Sequence, residues 1–150
     1  PSGSDVALVV GDLNGFYSMI LGKYVREVHA ILPESLWYEY VRRASIKFGA
    51  RNVVPHLGDP CRGTDVSGPT LFLVKSRDIS GECMRSIASA LHSLESIRRG
   101  IVLGAHAPPY YRPSDLPEEA IVRAFSDAGF TTASMRFRYH FFVVLTSSPP

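Results

Sequence analysis

Uninterrupted apolar runs alternate along this chain with stretches in which apolar residues recur every three or four positions. The first run is Val6–Val10, and it leads directly into a loop bounded by Gly11 and Gly15. A run without polar alternation is typical of a strand buried on both faces, as in parallel sheets. A glycine-rich turn from such a strand into a helix lets the backbone approach a ligand and presents free N–H groups to it. The stretch therefore predicts the first βα turn of a doubly wound fold.

The same two patterns predict a regular series of strands and helices. Strands are predicted at residues 6–10, 27–32, 52–57, 70–75, 101–105, 131–137 and 140–146. Helices are predicted at residues 17–25, 34–48 and 84–97, the last ended by Gly100, and in a segment that Ser114 caps and Gly129 ends. Because strand and helix alternate up to the last two strands, we expect an α/β fold. The expected fold is Rossmann-like and doubly wound. It has a mostly parallel sheet with a closing antiparallel hairpin, and helices cover both faces of the sheet.

Helical spacing also predicts which side chains are buried. In the second helix the apolar face consists of Trp37, Tyr40, Val41, Ala44 and Phe48. In the last two helices the expected core residues are Met84, Ile87, Leu91, Ala124 and Phe125. Residues 58–69 are rich in Gly, Pro, Asp and Thr, so we expect an irregular loop there.

Composition limits the class of protein. With 150 residues, 45% of them hydrophobic, we expect a single domain over residues 1–150, with residues 1–4 a tag remnant or linker. The net charge of +2 makes a nucleic-acid partner unlikely, and the basic, aromatic residues 136–140 are better interpreted as a solvated strand edge. No apolar run is long enough for a membrane span and no signal peptide is recognised, so a cytoplasmic protein is expected.

Cysteine and histidine positions suggest little metal or redox chemistry. Cys61 and Cys83 are far apart and are expected to be free thiols in a reducing compartment, with one bridge between them as the alternative. His56, Asp59 and Cys61 match no standard zinc spacing, so no metal site is expected. His106 follows the fifth predicted strand at its carboxyl end, where it is a candidate general base or, alternatively, a structural histidine held by loop carbonyls.

The loop and strand-end motifs resemble those of FkbM-type methyltransferases, which have the class I S-adenosylmethionine-dependent fold. Residues 9–18, Val-Val-Gly-Asp-Leu-Asn-Gly-Phe-Tyr-Ser, occupy the place of that family's acidic-Val-Gly-Ala-Asn-x-Gly-(Phe/Tyr)-Tyr-Ser loop. Residues 75–82 occupy the place of its Lys-x-Asp-x-Glu-Gly-x-Glu motif, and residues 104–106 that of Glu-x-His. The resemblance implies a domain that binds S-adenosylmethionine and methylates an acceptor, small or macromolecular, that the sequence does not identify.

The resemblance also assigns roles to individual residues. The residues implied along the cofactor are Gly11, Asp12, Gly15 and Glu34. The residues implied near the reacting group are His106 and Lys75.

Several acidic residues of the family's motifs are missing here. Val9, Leu32 and Arg77 stand where the family has acids, and the acid at the second strand is the one that binds the cofactor's ribose. Glu34 replaces Leu32 in this role if the chain turns back, whereas Asp12 would place a charge near the cofactor's carboxylate. We therefore expect an altered site that binds S-adenosylmethionine weakly or not at all. The alternative is a non-catalytic module that binds a protein partner or forms a homo-oligomer.

Overall fold

The computed structural model describes residues 3–147, so part of the expected tag or linker segment lies outside the described residues. The strands are β1 (Val6–Val10), β2 (Glu27–Leu32), β3 (Val53–Leu57), β4 (Leu71–Lys75), β5 (Arg99–Ala105), β6 (Phe130–Phe137) and β7 (His140–Ser147). The helices are α1 (Phe16–Leu21), α2 (Ser35–Lys47), α3 (Gly81–Ser93) and α4 (Glu118–Ala128), with a 3-10 turn at Pro60–Arg62.

All the strands belong to one seven-stranded sheet with the order β3-β2-β1-β4-β5-β7-β6. β1 to β5 pair in parallel, whereas β7 runs antiparallel to both β5 and β6. The expected doubly wound fold with a closing hairpin is confirmed. The order reverses between β1 and β4, and ligands of such sheets bind outside the carboxyl ends of the strands at this point.

Two apolar clusters, one on each face of the sheet, form the core. The larger one joins the sheet to α3 and α4 and includes Phe72, Met84 and Phe125, all almost completely buried. The smaller one lies under α1 and α2 and includes Val9 and Val41. Burial is confirmed for six of the expected core residues: Val41, Met84, Ile87, Leu91, Ala124 and Phe125.

The outer half of the predicted α2 face is not buried. Tyr40 is 53% exposed and Phe48 is 71% exposed, although both have the helical spacing of core residues. Val41 packs into the smaller cluster and Trp37 is only partly buried against it. The described chain leaves an open groove between α1 and α2, which Phe16, Tyr40 and Phe48 help to line. The prediction was wrong because spacing shows the direction of an apolar face but not what covers it.

Several predicted helix boundaries differ from the structure. α3 ends at Ser93, and Gly100 lies inside β5 instead of ending the helix. A Cβ atom at Gly100 would overlap the ring of Phe72, so this glycine makes room for a core side chain. α1 ends at Leu21, earlier than predicted. α4 begins at Glu118, after a turn in which the buried Asp115 carboxylate accepts a hydrogen bond from the backbone N–H of Arg112 at 2.9 Å.

Cys61 and Cys83 form a disulfide, with 4.9 Å between their Cα atoms. The expectation of two free thiols was wrong. The 3-10 turn packs against the first turn of α3 and brings together cysteines that are 22 positions apart in sequence. Because disulfides persist mainly in oxidising compartments, the cysteines no longer support a reducing one.

None of the helices within residues 3–147 combines the length and the apolar character that crossing a bilayer requires.

Candidate functional site

A cleft of about 500 Å³ opens at the carboxyl ends of β1, β2 and β4. Its walls come from the β1–α1 turn, the start of α2, the 3-10 turn and the segment that joins β4 to α3. This is the position at which the strand order reverses, so the fold itself indicates a binding site.

Gly11 permits the tight turn at the bottom of the cleft. Its φ angle is +81°, and an added Cβ atom would lie 2.6 Å from the carbonyl oxygen of Lys75. A side chain here would therefore be strained and would also collide with the backbone of β4. Gly15 has a φ angle of +74°, and its Cβ position lies 3.2 Å from Val41 Cγ2, so it serves the packing of α1 on α2 and does not line the cleft.

Asp12 points away from the cleft into the protein. It is fully buried, and its Oδ2 accepts hydrogen bonds from the backbone N–H of Ser18 at 2.9 Å and from the Ser18 hydroxyl at 3.0 Å. Its Oδ1 is buried and has no hydrogen-bond partner among the described residues. The expectation that the Asp12 charge faces the cofactor's carboxylate was wrong, because the Asp12 side chain binds to Ser18 in the first turn of α1 instead.

Glu34 lies on the wall of the cleft next to the end of β2. Leu32, two positions earlier, is fully buried in the smaller core cluster, and Pro33 leads the chain from β2 into α2. Glu34 precedes α2, yet its side chain makes no capping hydrogen bond to that helix. Its exposed carboxylate is therefore available to a ligand in the cleft.

The two candidate catalytic residues are separated. Lys75 ends β4 and lines the cleft, with its Nζ 5.5 Å from the centroid of the Tyr17 ring. His106 follows β5, donates its backbone N–H to the Tyr139 carbonyl at 2.9 Å, and is not part of the cleft lining. Its Nε2 is buried without a partner among the described residues. The structure thus brings together Gly11, Glu34 and Lys75, but not Asp12, Gly15 or His106.

Sequence reasoning missed several residues that line the cleft. Trp37 had been expected to be a core residue, whereas its side chain is partly exposed and borders the cleft. Leu13, the Cys61–Cys83 disulfide and Asp59 lie on the walls as well, and the Asp59 carboxylate accepts the Cys61 backbone N–H at 3.0 Å. The sequence signal for this wall was the high content of Gly, Pro, Asp and Thr in residues 58–69, which predicts an irregular loop but not its contacts.

A second polar cluster joins the neighbouring strands β2 and β3. His29 Nδ1 lies 2.7 Å from His56 Nε2, and His29 Nε2 lies 2.6 Å from Glu27 Oε1. Burial lowers the pKa of His56, the positive charge of a protonated His29 lowers it further, and Glu27 partly opposes both effects.

This lowered pKa makes stability depend on pH. A histidine whose pKa is lower in the folded state stabilises the fold fully only above its unfolded pKa of about 6.5, and this contribution is lost as the pH falls toward the folded pKa. We expect the free energy of unfolding to fall more between about pH 7.5 and about pH 5 in the natural chain than in His56→Gln. Urea titrations at both pH values measure this, and equal losses in the two proteins would contradict it.

Comparisons with known proteins identify the fold. No family model matches the chain, and no curated protein matches it either. Among solved structures, it is similar to a SAM-dependent methyltransferase from Aquifex aeolicus, with a TM-score of 0.83 and 16% identity over 98% of this chain and 84% of that one. It is also similar to the methyltransferase SibL in its apo form, with a TM-score of 0.78 and 14% identity. This match covers 97% of this chain and about half (51%) of SibL.

The glycopeptide N-methyltransferase MtfA, complexed with S-adenosyl-L-homocysteine, gives a TM-score of 0.78 and 11% identity, over 97% of this chain and 84% of that one. At such identities the similarity establishes a shared fold. The chain therefore has the fold of class I S-adenosylmethionine-dependent methyltransferases.

Proposed function

We propose that the cleft binds S-adenosylmethionine and that the chain is a methyltransferase-type domain with altered cofactor contacts. The observation that carries the proposal is the exposed carboxylate of Glu34, which lies at the end of β2 in the same cleft as the Gly11 turn. A ribose diol needs a hydrogen-bond acceptor at this edge of the sheet, and bonds to a charged acceptor are the stronger ones. The similar fold of MtfA, which holds S-adenosyl-L-homocysteine, supports the same ligand class.

The residues that line the cleft fit the parts of this cofactor. Glu34 would accept hydrogen bonds from the ribose hydroxyls, and the side chains of Leu13 and Trp37 would contact the adenine. Lys75 would attract the cofactor's carboxylate, and the inward position of Asp12 removes the repulsion that the sequence suggested. When bound, the cofactor supplies a methyl group on a sulfonium ion. Of the two candidate catalytic residues, Lys75 is the one that lines the cleft. We assign it the role of positioning the cofactor through its positive charge.

The altered contacts reduce affinity. Val9 and Leu32 stand where the motifs of FkbM-type methyltransferases have acids. Both are fully buried in the core and offer no acceptor to a ligand. A lost charge-assisted hydrogen bond costs about 1.5–3 kcal/mol, which is roughly a tenfold to hundredfold loss of affinity. With Glu34 as the acid that follows β2 in place of the missing one, we expect weak binding, with a dissociation constant on the order of 100 μM.

The test is a calorimetric titration of the purified chain and of Glu34→Gln with S-adenosylmethionine. We expect Glu34→Gln to bind roughly fivefold to tenfold more weakly, because its amide oxygen remains an acceptor but carries no charge. Glu95→Gln, an exposed change outside the cleft, is the matched control and should bind like the natural chain.

Unchanged affinity in Glu34→Gln would refute the ribose contact. If even the natural chain does not bind at about 5 mM cofactor, the proposed function is refuted. The second candidate, a non-catalytic interaction module, would then be preferred. The observation in its favour is the groove between α1 and α2, where Phe16 is 59% and Phe48 is 71% exposed.

A further inference from the structure

A second cavity, of about 490 Å³, lies on the other side of the 3-10 turn from the cofactor cleft. Its floor is the sheet at Leu8, Val10 and Ile31, and one wall is the α3 face that carries Ile87 and Leu91. Residues 58–69 lead from β3 to β4. The alternation of strands and helices in the rest of the fold would place a helix here, but this segment contains only the short 3-10 turn. The cavity occupies part of the sheet face that such a helix would cover.

His56 is the histidine that lines this cavity. Its Nε2 faces His29 Nδ1, and the other nitrogen of His29 faces the Glu27 carboxylate. A carboxylate has no hydrogen to donate, so the 2.6 Å contact is attractive only if His29 Nε2 carries the hydrogen. When both rings are neutral, His29 Nδ1 must then accept the hydrogen bond that His56 Nε2 donates.

These two contacts determine whether the second ring nitrogen of His56, Nδ1, carries a hydrogen. In a neutral His56 whose Nε2 carries the hydrogen, Nδ1 has a free lone pair and is a hydrogen-bond acceptor. Nδ1 forms no hydrogen bond within residues 3–147, and it is not among their fully buried side-chain atoms that lack a partner, so it is open to solvent or to a ligand. Burial keeps His56 neutral near pH 7 because it lowers the pKa of the imidazole.

The charged side chains around the cavity are more open to solvent. Arg62 lies 3.7 Å from Asp59 in an exposed ion pair, with side-chain exposures of 88% and 51%. Asp65 is exposed as well. These groups lie toward solvent, whereas the floor is apolar.

We propose that this cavity is a second ligand site, for a small uncharged molecule with an apolar body and one hydroxyl or N–H group that donates to Nδ1 of His56. The apolar floor favours an apolar body, because burying an unpaired charge there would be costly. One free acceptor selects a ligand with one matching donor, since an acceptor left unpaired against an apolar group weakens binding. The proposal is independent of cofactor binding, because it rests on different side chains and is tested without cofactor.

The experiment compares p-cresol with 4-methylanisole, which has a similar ring and oxygen but no donor hydrogen. Amide signals of the ¹⁵N-labelled chain are followed by NMR during each titration, without cofactor. We expect p-cresol to bind with a millimolar dissociation constant, about fivefold or more tightly than 4-methylanisole. The shifted amides should lie in residues 56–65 and along α3.

Two further measurements test the role of His56. In His56→Leu we expect p-cresol to bind about as weakly as 4-methylanisole, since the acceptor is gone. In the natural chain, p-cresol affinity should stay constant from about pH 8 to about pH 7 and fall as the pH is lowered further through the lowered pKa of His56, because protonation places a hydrogen on Nδ1. The other titratable or charged groups that face His56 or border the cavity are Glu27, His29, Asp59, Arg62 and Asp65.

The outcomes separate clearly. Equal affinity for the two probes, no shifts with either at about 10 mM, or shifts confined to the groove between α1 and α2 would each overturn the proposal. If His56→Leu does not fold, the comparison of the two probes and the pH series on the natural chain still decide it.

Discussion

Replacing Phe125 with Ala is expected to lower the free energy of unfolding by about 3–5 kcal/mol. Phe125 is fully buried on the inner face of α4. Its ring stacks on Phe72 at a centroid distance of 5.8 Å and also contacts Phe130 at 5.7 Å. Truncation removes this apolar contact and leaves a cavity that a close-packed core cannot fill without moving neighbouring elements.

A urea titration of the natural chain and the variant measures the change in unfolding free energy. The matched control is Phe48→Ala, which removes the same ring from a residue that is 71% exposed. We expect this control to remain within about 0.5 kcal/mol of the natural chain. A loss in the control as large as that in Phe125→Ala would contradict the structure, because it would mean that Phe48 is covered in solution.

Phe125 and Phe48 also illustrate what an apolar pattern can and cannot predict about helices. α4 packs on the sheet next to α3, so the predicted core residues Ala124 and Phe125 are buried. α2 lies beside the short α1, and only the part of its face around Val41 reaches the sheet. Periodicity specifies the direction of a face, whereas burial depends on elements that are distant in the chain.

β1 and β4 were predictable because each is a short apolar run that is almost fully buried, as in a sheet covered on both faces. Gly11 was predictable as well, since few residues tolerate its φ angle of +81°. The direction of the Asp12 side chain was not predictable, because a loop carboxylate can face a ligand or the N–H groups of the following helix. Here it accepts a hydrogen bond from the Ser18 N–H. Glu34 was named only as a substitute, and the turn at Pro33 is what places it on the cleft wall.

The wall between the two cavities was the least predictable feature. It is the 3-10 turn Pro60–Arg62, which borders the cleft at the ends of β1, β2 and β4 on one side and the cavity lined by His56 on the other. No strand pairing holds this turn, and the contacts that fix it are to α3, which follows much later in the chain. The Cys61–Cys83 disulfide is the covalent part of that contact.

Removing the disulfide is therefore expected to affect both stability and the shape of this wall. The cysteines are 22 positions apart, and closing a loop of that size stabilises a fold by about 3 kcal/mol through the reduced entropy of the unfolded chain. We expect the double variant Cys61→Ser, Cys83→Ser to lose about this amount in a urea titration under oxidising conditions. Adding a phosphine reductant should destabilise the natural chain to the same extent and leave the double variant unchanged.

Hydrogen exchange distinguishes a local effect from a general one. Because the turn has no strand partners, amides in residues 58–69 should exchange faster in the double variant, whereas those in β1 and β4 should lose only the protection that follows from the lower global stability. Equal stability with and without reductant would contradict a disulfide-held wall. Uniformly faster exchange across the sheet would show that the bond supports the whole fold and not the wall between the two cavities.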